Sequence, residues 1–286
     1  MPGVLYVVAT PIGNLEDISL RALRILKEVD CVACEDTRHS GKLLHHFGIS
    51  KPLVSCHEYN EEGRARELLG RLLDGENIAL VSDAGTPLVS DPGYRLVALA
   101  VEAGIRVVPI PGVSAVTAAL AASGLPTDCF RFLGFLPPKK QQRRAVFETL
   151  AAVTATVIFF EAPHRIVETL RDLEEILPRH PVVLARELTK IHEEFLRGTA
   201  AQLREILESR GHIKGEFTCL IGKGPIPAET EAAVSVEEAV SEYLRQGLSR
   251  MDAIKRVAKE RGIPKRQAYQ AFETSAKKGG RGDGRY

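Results

Sequence analysis

The sequence lacks the features that mark secreted, membrane-spanning and metal-binding proteins. Its 286 residues contain no signal peptide and no apolar run approaching the roughly 18 residues that a spanning helix needs. The five cysteines have no regular pairing, which is typical of a reducing compartment. Cys31 and Cys34 form a CxxC, but no second pair lies at a spacing suited to zinc. We therefore expect a soluble, cytoplasmic protein with no membrane partner and no metal.

Familiar nucleotide-binding motifs are also missing. No GxGxxG follows an apolar strand, and the string GEFTCLIGKG fits a P-loop only loosely. Gly224 stands where Ser or Thr should follow Lys223. These absences argue against ATP hydrolysis and against a dinucleotide site of the Rossmann type. The chain is therefore expected to bind its ligand in a less common α/β cleft.

The charge is unevenly distributed although the formal net charge is only +1. From Arg250 to Tyr286 there are 11 Lys and Arg against 4 Asp and Glu, so the residues before Arg250 carry about −6. A basic C-terminal tail on a mildly acidic body favours contact between the tail and an anionic partner such as RNA.

Strand and helix patterns alternate along most of the chain and predict an α/β protein. Up to about residue 121 the alternation implies a mostly parallel sheet, and a second α/β half follows. After the linker PIPAETEA, three short amphipathic helices with a basic last one resemble a helix-turn-helix module. The predicted domains are 1–121, 122–226, a basic helical module at 235–276 and a disordered tail at 277–286.

The most informative stretch is VSDAGTPLVSDPG, from Val81 to Gly93. An apolar strand breaks there into small, turn-forming and acidic residues, and ligands of open α/β sheets bind at the carboxyl ends of strands. Gly85 permits a positive φ or a close approach of a ligand to the backbone. Asp83 and Asp91 suit a cation or ribose hydroxyls better than a phosphate. The alternative is that both aspartates only cap turns or helices.

Two further strings carry charge next to predicted strands or helices. EDTRHS, from Glu35 to Ser40, follows the strand CVAC and is expected to line the same cleft; a solvated, salt-bridged loop is the alternative. PPKKQQRR, from Pro137 to Arg144, is either a contact with a phosphate backbone or a solvated start of a helix.

The strings EDTRHS and VSDAGTPLVSDPGYRLV resemble the ribosomal RNA small subunit methyltransferase I family of the tetrapyrrole methylase superfamily, as do LYVVATPIGNLEDIS, PGVSAVTAALAASGLPTD, FFEAPHRI, ARELTKIHEE and GEF. The similarity runs from about Gly3 to Gly224. It implies two α/β/α domains with S-adenosylmethionine (SAM) in the cleft between them and a homodimer. The implied reaction is methylation of a cytidine ribose 2′-hydroxyl in the decoding centre of small-subunit rRNA, with the rRNA or the 30S subunit as partner.

The resemblance also implies which residues hold the cofactor. The superfamily's first cofactor loop, usually GDP, falls on Asp83, Ala84 and Gly85, and DAGTP is this chain's departure from it. The second loop falls on Pro111 to Ala115, and the second domain contributes near Phe160 and at Leu188 to Lys190. The residues expected to bind SAM are Ser82, Asp83, Ala84, Gly85, Thr86, Pro87, Gly112, Ser114, Ala115, Phe160, Leu188 and Thr189.

The chemistry of methyl transfer needs orientation and one group to take the proton of the ribose hydroxyl. The candidates are Asp36, Asp91, Glu187 and Lys190. Substrate contacts are expected from Glu35, Thr37, Arg38, Lys139, Lys140, Arg143, Arg144, Arg165, Arg186, Lys265 and Arg266. The arginines among them suit phosphates, and interdomain ion pairs are the alternative.

Three hypotheses on the function stay open: an RNA 2′-O-methyltransferase, a methylase of tetrapyrroles or other small molecules, and an RNA-binding assembly factor without activity. For the C-terminal module the alternative to RNA binding is a small bundle that stabilises the dimer.

Overall fold

A computed structural model describes residues 1–224, 236–260, 264–270 and 272. The chain divides into two compact units, Met1–Pro225 and Ile226–Tyr286. The predicted linker PIPAETEA and the predicted tail at 277–286 lie outside the described residues.

The first half of the larger unit is a parallel sheet covered on both faces. Its strand order is β3-β2-β4-β1-β5, and every neighbouring pair is parallel. The strands are short apolar runs, as expected for a sheet buried on both sides. They are β1 (Val4–Val8), β2 (Cys31–Cys34), β3 (Leu53–Ser55), β4 (Ile78–Val81) and β5 (Arg106–Ile110).

Five helices connect and cover these strands. They are α1 (Leu20–Glu28), α2 (Thr37–His46), α3 (Glu61–Leu73), α4 (Tyr94–Glu102) and α5 (Ala115–Ser123). Apolar residues of α1 and α2 form one core with the sheet, and those of α3 and α4 form a second core on the opposite face. Ser19 caps α1 by accepting a hydrogen bond from the Ala22 amide.

The second half is a mixed sheet with the order β6-β7-β10-β8-β9. Strand β10 pairs antiparallel with both of its neighbours, whereas β6 and β7 are parallel. The strands are β6 (Phe130–Phe135), β7 (Thr156–Glu161), β8 (Val182–Arg186), β9 (Glu194–Gly198) and β10 (Phe217–Ile221).

Helices α6 (Lys140–Leu150), α7 (Ile166–Ile176) and α8 (Ala200–Glu208) form a large core with one face of this sheet. The other face packs against α5, whose Val116, Ala119 and Leu120 are buried there together with Ile12. Helix α5 and the loop after β1 therefore join the two sheets into one body. These two sheets with their helices confirm the predicted α/β class.

The smaller unit contains α9 (Val236–Arg245), α10 (Arg250–Glu260) and a helical segment at 265–270. Its apolar side chains form a core of their own, with Val240, Ile254 and Ala268 at most 2% exposed. Lys265 and Arg266 are exposed on the helical segment.

Candidate functional site

Three loops leave the carboxyl ends of β1, β4 and β5 and are bonded to one another. Thr10 and Gly85 exchange backbone hydrogen bonds in an isolated bridge. The Thr10 hydroxyl is buried and donates to the Ser82 carbonyl at 3.0 Å. The Thr86 hydroxyl donates to the Val113 carbonyl at 3.3 Å. These hydrogen bonds hold the loop after β4 between the loops after β1 and β5.

The loop after β4 has an unusual backbone. Gly85 has φ +86°, and a Cβ built on it would lie 3.3 Å from Ile12 Cγ2. Leu88 and Ser90 adopt φ of 73° and 67° without being glycine. Such conformations cost energy and persist only where the surroundings fix them. The loop is therefore a fixed shape rather than a free connector.

A cleft of about 410 Å³ lies between this loop and the second sheet. We call it the inter-sheet cleft. One wall comes from the first half of the chain, and the other from the end of β7 and the start of β10, which are neighbours because those strands are antiparallel. It is lined by Ile12, Asp83, Ala84, Gly85, Thr86, Val89, Ser90, Asp91, Ser114, Ala115, Val116, Phe135, Phe160, Glu161, Ala162, Pro163, Glu216, Phe217 and Thr218.

Acidic groups are concentrated at the β4 side of the cleft. Burial raises the pKa of Asp91 to about 6, and the charges of Glu35 and Asp83 act in the same direction against a hydrogen bond from Ser82. Burial and the charge of Asp83 also raise the pKa of Glu35. The Asp36 amide donates to Asp83 Oδ1 at 3.3 Å. The cleft can thus hold a proton close to neutral pH.

The EAPHR segment forms the opposite wall by a network of internal bonds. Glu161 is 2% exposed and accepts a hydrogen bond from the Thr169 hydroxyl at 2.7 Å. Arg165 donates to the carbonyls of Leu136 and Pro137, both at 3.1 Å. The guanidinium therefore ties this wall to the segment between β6 and α6.

The loop after β8 closes one end of the site. Lys190 Nζ lies 2.9 Å from Glu187 Oε1 and 3.1 Å from Glu216 Oε2. Burial lowers the pKa of Lys190, but the hydrogen bonds to the two glutamates outweigh it, so the pKa lies above its ordinary value. Lys190 is consequently a cation at neutral pH and not a base.

Seven of the residues predicted to bind the cofactor line the inter-sheet cleft. They are Asp83, Ala84, Gly85, Thr86, Ser114, Ala115 and Phe160. The other five support it from outside the lining. Ser82 is buried and donates to the Gly85 carbonyl at 3.3 Å, and Pro87 and Leu188 are buried. Gly112 packs against Ala9, and Thr189 borders a neighbouring surface depression.

The four predicted proton acceptors lie in different surroundings. Asp36 caps α2 and binds Arg38 at 2.7 Å, which holds the pKa of its carboxyl well below the usual range. Glu187 is held by Lys190, as described above. Burial raises the pKa of Glu187, but the hydrogen bonds from Lys190 and the Glu216 amide outweigh it, so the pKa is lowered. Of the four, Asp91 alone lines the inter-sheet cleft.

The predicted phosphate contacts are mostly engaged in ion pairs. Arg143 is 1% exposed and binds the equally buried Asp172, so its guanidinium does not reach the surface. Arg144 pairs with Asp172 and Glu175. Arg186 binds Glu194 at 2.8 Å and donates to the Lys214 carbonyl.

The remaining predicted substrate residues are more accessible. Arg38 is 86% exposed although it is paired with Asp36. Lys139 and Lys140 are exposed at the start of α6, and Lys140 lies 3.9 Å from Asp172. Glu35 and Thr37 are half-buried beside Asp83 and at the first turn of α2.

Several lining residues were not predicted from the sequence. Phe135 belongs to a strand that the sequence pattern did not reveal, and none of Glu216 to Thr218 was assigned to the site. The string GEF, which recurs in the resemblance, is the signal that could have identified them.

Two classes of feature are not found in the described part of the chain. No described helix is long and apolar enough to cross a membrane. Among the same residues, no group of three or more His, Cys, Asp and Glu could hold a metal ion.

Comparisons with known proteins give a consistent result. Residues 4–204 match the family model described as Tetrapyrrole (Corrin/Porphyrin) Methylases. The chain is 50% identical over 94% of its length to a Halalkalibacterium halodurans protein named "Ribosomal RNA small subunit methyltransferase I", of which it covers 94%. It is 43% identical, with 94% of each chain covered, to the Bacillus subtilis protein of the same name.

Solved structures share the fold of the larger unit. The uroporphyrin-III C-methyl transferase of Thermus thermophilus, complexed with S-adenyl homocysteine, aligns with a TM-score of 0.54 at 21% identity. The alignment covers 77% of this chain and 97% of that one. The methyltransferase CobJ aligns with a TM-score of 0.59 at 18% identity and covers 77% and 94%.

Proposed function

The chain belongs to the tetrapyrrole methylase family, in its branch of ribosomal RNA small subunit methyltransferase I, and from this premise we propose that it methylates small-subunit rRNA with SAM. More narrowly, we propose the 2′-hydroxyl of a cytidine ribose in the decoding centre of 16S rRNA as the methyl acceptor. The support for the coarser statement is identity of 43 to 50% with relatives of that name along 94% of the chain. The observation that carries the proposal is the inter-sheet cleft.

The cleft fits SAM by size and by the character of its walls. Its 410 Å³ falls within the usual range of small-ligand pockets. Val116, Phe135 and Phe160 supply apolar contact, while Asp83 and Asp91 supply acceptors for hydroxyl and amino groups. Gly85 leaves the backbone accessible where any side chain would stand against Ile12. When bound, SAM supplies an electrophilic methyl group on its sulfonium.

The residues of the chain have two tasks in such a reaction. They must orient the acceptor hydroxyl in line with the methyl group, and they must take its proton. We propose that the carboxylates of Asp83 and Asp91 take the proton of the acceptor hydroxyl. Asp91 titrates near neutral pH, and Asp83 stands beside it and faces the cavity on the far side of the loop.

The proposal is tested by transfer of labelled methyl from SAM to naked 16S rRNA and to small subunits, side by side, followed by mapping of the modified nucleotide. We expect label on the ribose of a cytidine in the decoding centre. Label on a base, or label only in a tetrapyrrole offered in parallel, would contradict the proposal. A folded protein that binds both SAM and rRNA without transfer would indicate an assembly factor.

We further propose that the active form is a cytoplasmic homodimer, as the resemblance implies. Sedimentation at several protein concentrations tests the dimer, because a monomer at all concentrations excludes it.

A further inference from the structure

Helix α2 presents an unusual second face. Asp36 caps the helix, and Ser40 and Leu44 are its buried residues. His39, Lys42 and His46 are all exposed and, with Leu43, follow one another at the spacing of a single helical face. This face is offset from the buried one by one residue. The polar side chains of this face therefore do not belong to the side of α2 that packs against the sheet.

The second face of α2 borders a cavity of about 420 Å³, which we call the α2 cavity. Its other walls come from the loop after β1 and from Lys190. It is lined by Pro11, Ile12, Gly13, Leu15, His39, Lys42, Leu43, His46, Asp83, Ala84, Lys190 and Glu216.

The α2 cavity and the inter-sheet cleft adjoin each other. Ile12, Asp83, Ala84 and Glu216 line both spaces. The two spaces therefore adjoin at these residues, so that a group in the α2 cavity lies next to a ligand of the inter-sheet cleft. Methyl transfer requires such adjoining spaces, because the acceptor oxygen must contact the methyl group directly.

The α2 wall of the cavity favours an anion, although the lysines and carboxylates of the whole lining balance in number. His39, Lys42 and His46 form no ion pair with any carboxylate in the described residues, whereas Arg38 is bound by Asp36 and Lys190 by two glutamates. A lysine without a carboxylate partner and two imidazoles on one wall suit the phosphates of a nucleic acid backbone. The acidic residues of the cavity, Asp83 and Glu216, lie at its boundary with the inter-sheet cleft and not on α2.

We propose that the α2 cavity receives the target nucleotide of a single-stranded RNA segment, and that His39, Lys42 and His46 bind the phosphates beside it. This proposal rests on the proposed function, because that function makes the bound nucleotide the methyl acceptor. Binding of RNA can nevertheless be measured separately from methyl transfer. In this arrangement the ribose hydroxyl lies against Asp83, and the α2 residues fix the register of the strand without touching the cofactor.

The test combines RNA binding with kinetics. The probe is a fluorescent single-stranded RNA of decoding-centre sequence, titrated in the presence of S-adenosylhomocysteine. The variant is Lys42→Ala combined with His39→Gln and His46→Gln. Lys27→Ala is the matched control, because Lys27 is an exposed helical lysine that borders neither cavity.

We expect the triple variant to bind the RNA roughly tenfold more weakly, because a few charge-assisted hydrogen bonds to phosphate are missing. Its log–log salt slope should fall by about 0.7 for each phosphate that is no longer neutralised. KM for small subunits should rise with it, while affinity for S-adenosylhomocysteine and the melting temperature stay at the wild-type values. The single variant Lys42→Arg should keep most of the wild-type RNA affinity, and Lys27→Ala should leave every quantity unchanged.

Unchanged RNA affinity and unchanged KM in the folded triple variant would overturn the proposal, as would a loss confined to cofactor binding. Failure of the proposed function looks different. A wild-type protein whose RNA binding depends on Lys42, but which places no methyl on a ribose, would refute the reaction and leave the nucleotide site standing.

Discussion

Thr10 and Gly85 exchange two backbone hydrogen bonds, of 2.8 and 3.0 Å, although 75 residues separate them in sequence. The bridge fixes the loop after β4 against the loop after β1. Gly85 is also one of the residues that line the inter-sheet cleft. The shape of the cleft therefore depends on a residue without a side chain.

Gly85→Val should abolish most cofactor binding. The new side chain would stand 3.3 Å from Ile12 Cγ2 at its first carbon and would extend the wall of the cleft. We expect affinity for SAM to fall roughly tenfold or more, corresponding to a loss of at least about 1.4 kcal/mol. Calorimetric titration of the folded protein measures it.

Gly104→Val controls for backbone strain. Gly104 has φ +70°, but a Cβ there would meet nothing within 4 Å. Both variants should lose stability by about 1 to 3 kcal/mol, and only Gly85→Val should lose the cofactor. Equal affinity of the two variants for SAM would show that the loop after β4 does not belong to the cofactor site.

Asp91→Asn should stabilise the protein above pH 6 and have little effect at pH 4. The raised pKa of about 6 means that the folded state keeps a proton which the unfolded chain has already released. The wild type consequently loses stability as pH rises from the ordinary Asp value through 6. After allowance for solvent screening we expect a gain of about 1 kcal/mol at pH 7 to 8.

Denaturant unfolding of wild type and Asp91→Asn at pH 4 and pH 8 checks this. Glu102→Gln, at an exposed carboxyl on α4, is the control for removal of a surface charge. The same Asp91→Asn protein should methylate rRNA about a hundredfold more slowly if Asp91 helps to take the proton. A wild-type rate would exclude Asp91 from that role.

Arg143→Ala should act on stability and not on RNA binding. Arg143 and Asp172 are 2% and 1% exposed at their side chains, and Arg143 Nη2 lies 2.6 Å from Asp172 Oδ2. Removal of the guanidinium leaves the buried Asp172 carboxylate with only its longer contacts to Arg144 and Lys140, so the expected cost is at the lower end of about 3 to 5 kcal/mol. Chemical denaturation measures the loss.

Lys139→Ala is the counterpart on the same segment. Lys139 is exposed and should change stability by less than about 0.5 kcal/mol. If Lys139 contacts RNA, its loss alone should flatten the salt dependence of RNA binding. The salt dependence of RNA binding by Arg143→Ala is measured for the folded fraction of the protein. A weaker salt dependence than in the wild type would show that Arg143 contacts a phosphate after all.

Replacement of Lys265 and Arg266 by Gln should weaken RNA binding without affecting SAM. Both side chains are exposed on the helical segment of the smaller unit. The log–log salt slope should fall by about 0.7 to 0.9 for each phosphate that either side chain neutralises in the wild type. RNA titration at several salt concentrations, with sedimentation of the same samples, measures slope and oligomeric state together.

The control for this pair is Arg245→Gln. Arg245 is an exposed arginine of the same unit that is bound to Glu242. An altered oligomeric state with an unchanged slope in the Lys265, Arg266 variant would favour the dimer-stabilising bundle.

The buried strands were predictable because each is a short apolar run with turn residues at its ends. The predicted strand CVAC, for example, coincides with β2, which is buried at all four residues. Strands β6 and β9 escaped because they lie at the edges of the second sheet, where exposed residues such as Phe130 and Arg197 interrupt the apolar pattern. Edge strands carry the weakest sequence signal.

The sequence strings that form the site could be predicted, but the helix faces that their residues share could not. Asp83 to Thr86 line the inter-sheet cleft as expected, since a strand end fixes where a loop begins. EDTRHS was expected to line the cleft, with a salt-bridged loop as the alternative, and neither interpretation included helix α2, which starts at Thr37 within it. The common face of His39, Lys42 and His46 becomes visible only once that helix is recognised. Burial of Arg143 by Asp172 depends on a contact between two helices that no local pattern specifies.

The position of β10 has a consequence for biosynthesis. This strand, the last of the larger unit, lies in the middle of the second sheet between β7 and β8. A nascent chain that ends before residue 217 therefore has a split sheet and lacks the β10 part of one wall of the inter-sheet cleft. Pairings between distant segments form late. Binding of the cofactor can begin only when the chain has been synthesised through β10, and the newly made protein cannot hold SAM while that strand is still missing.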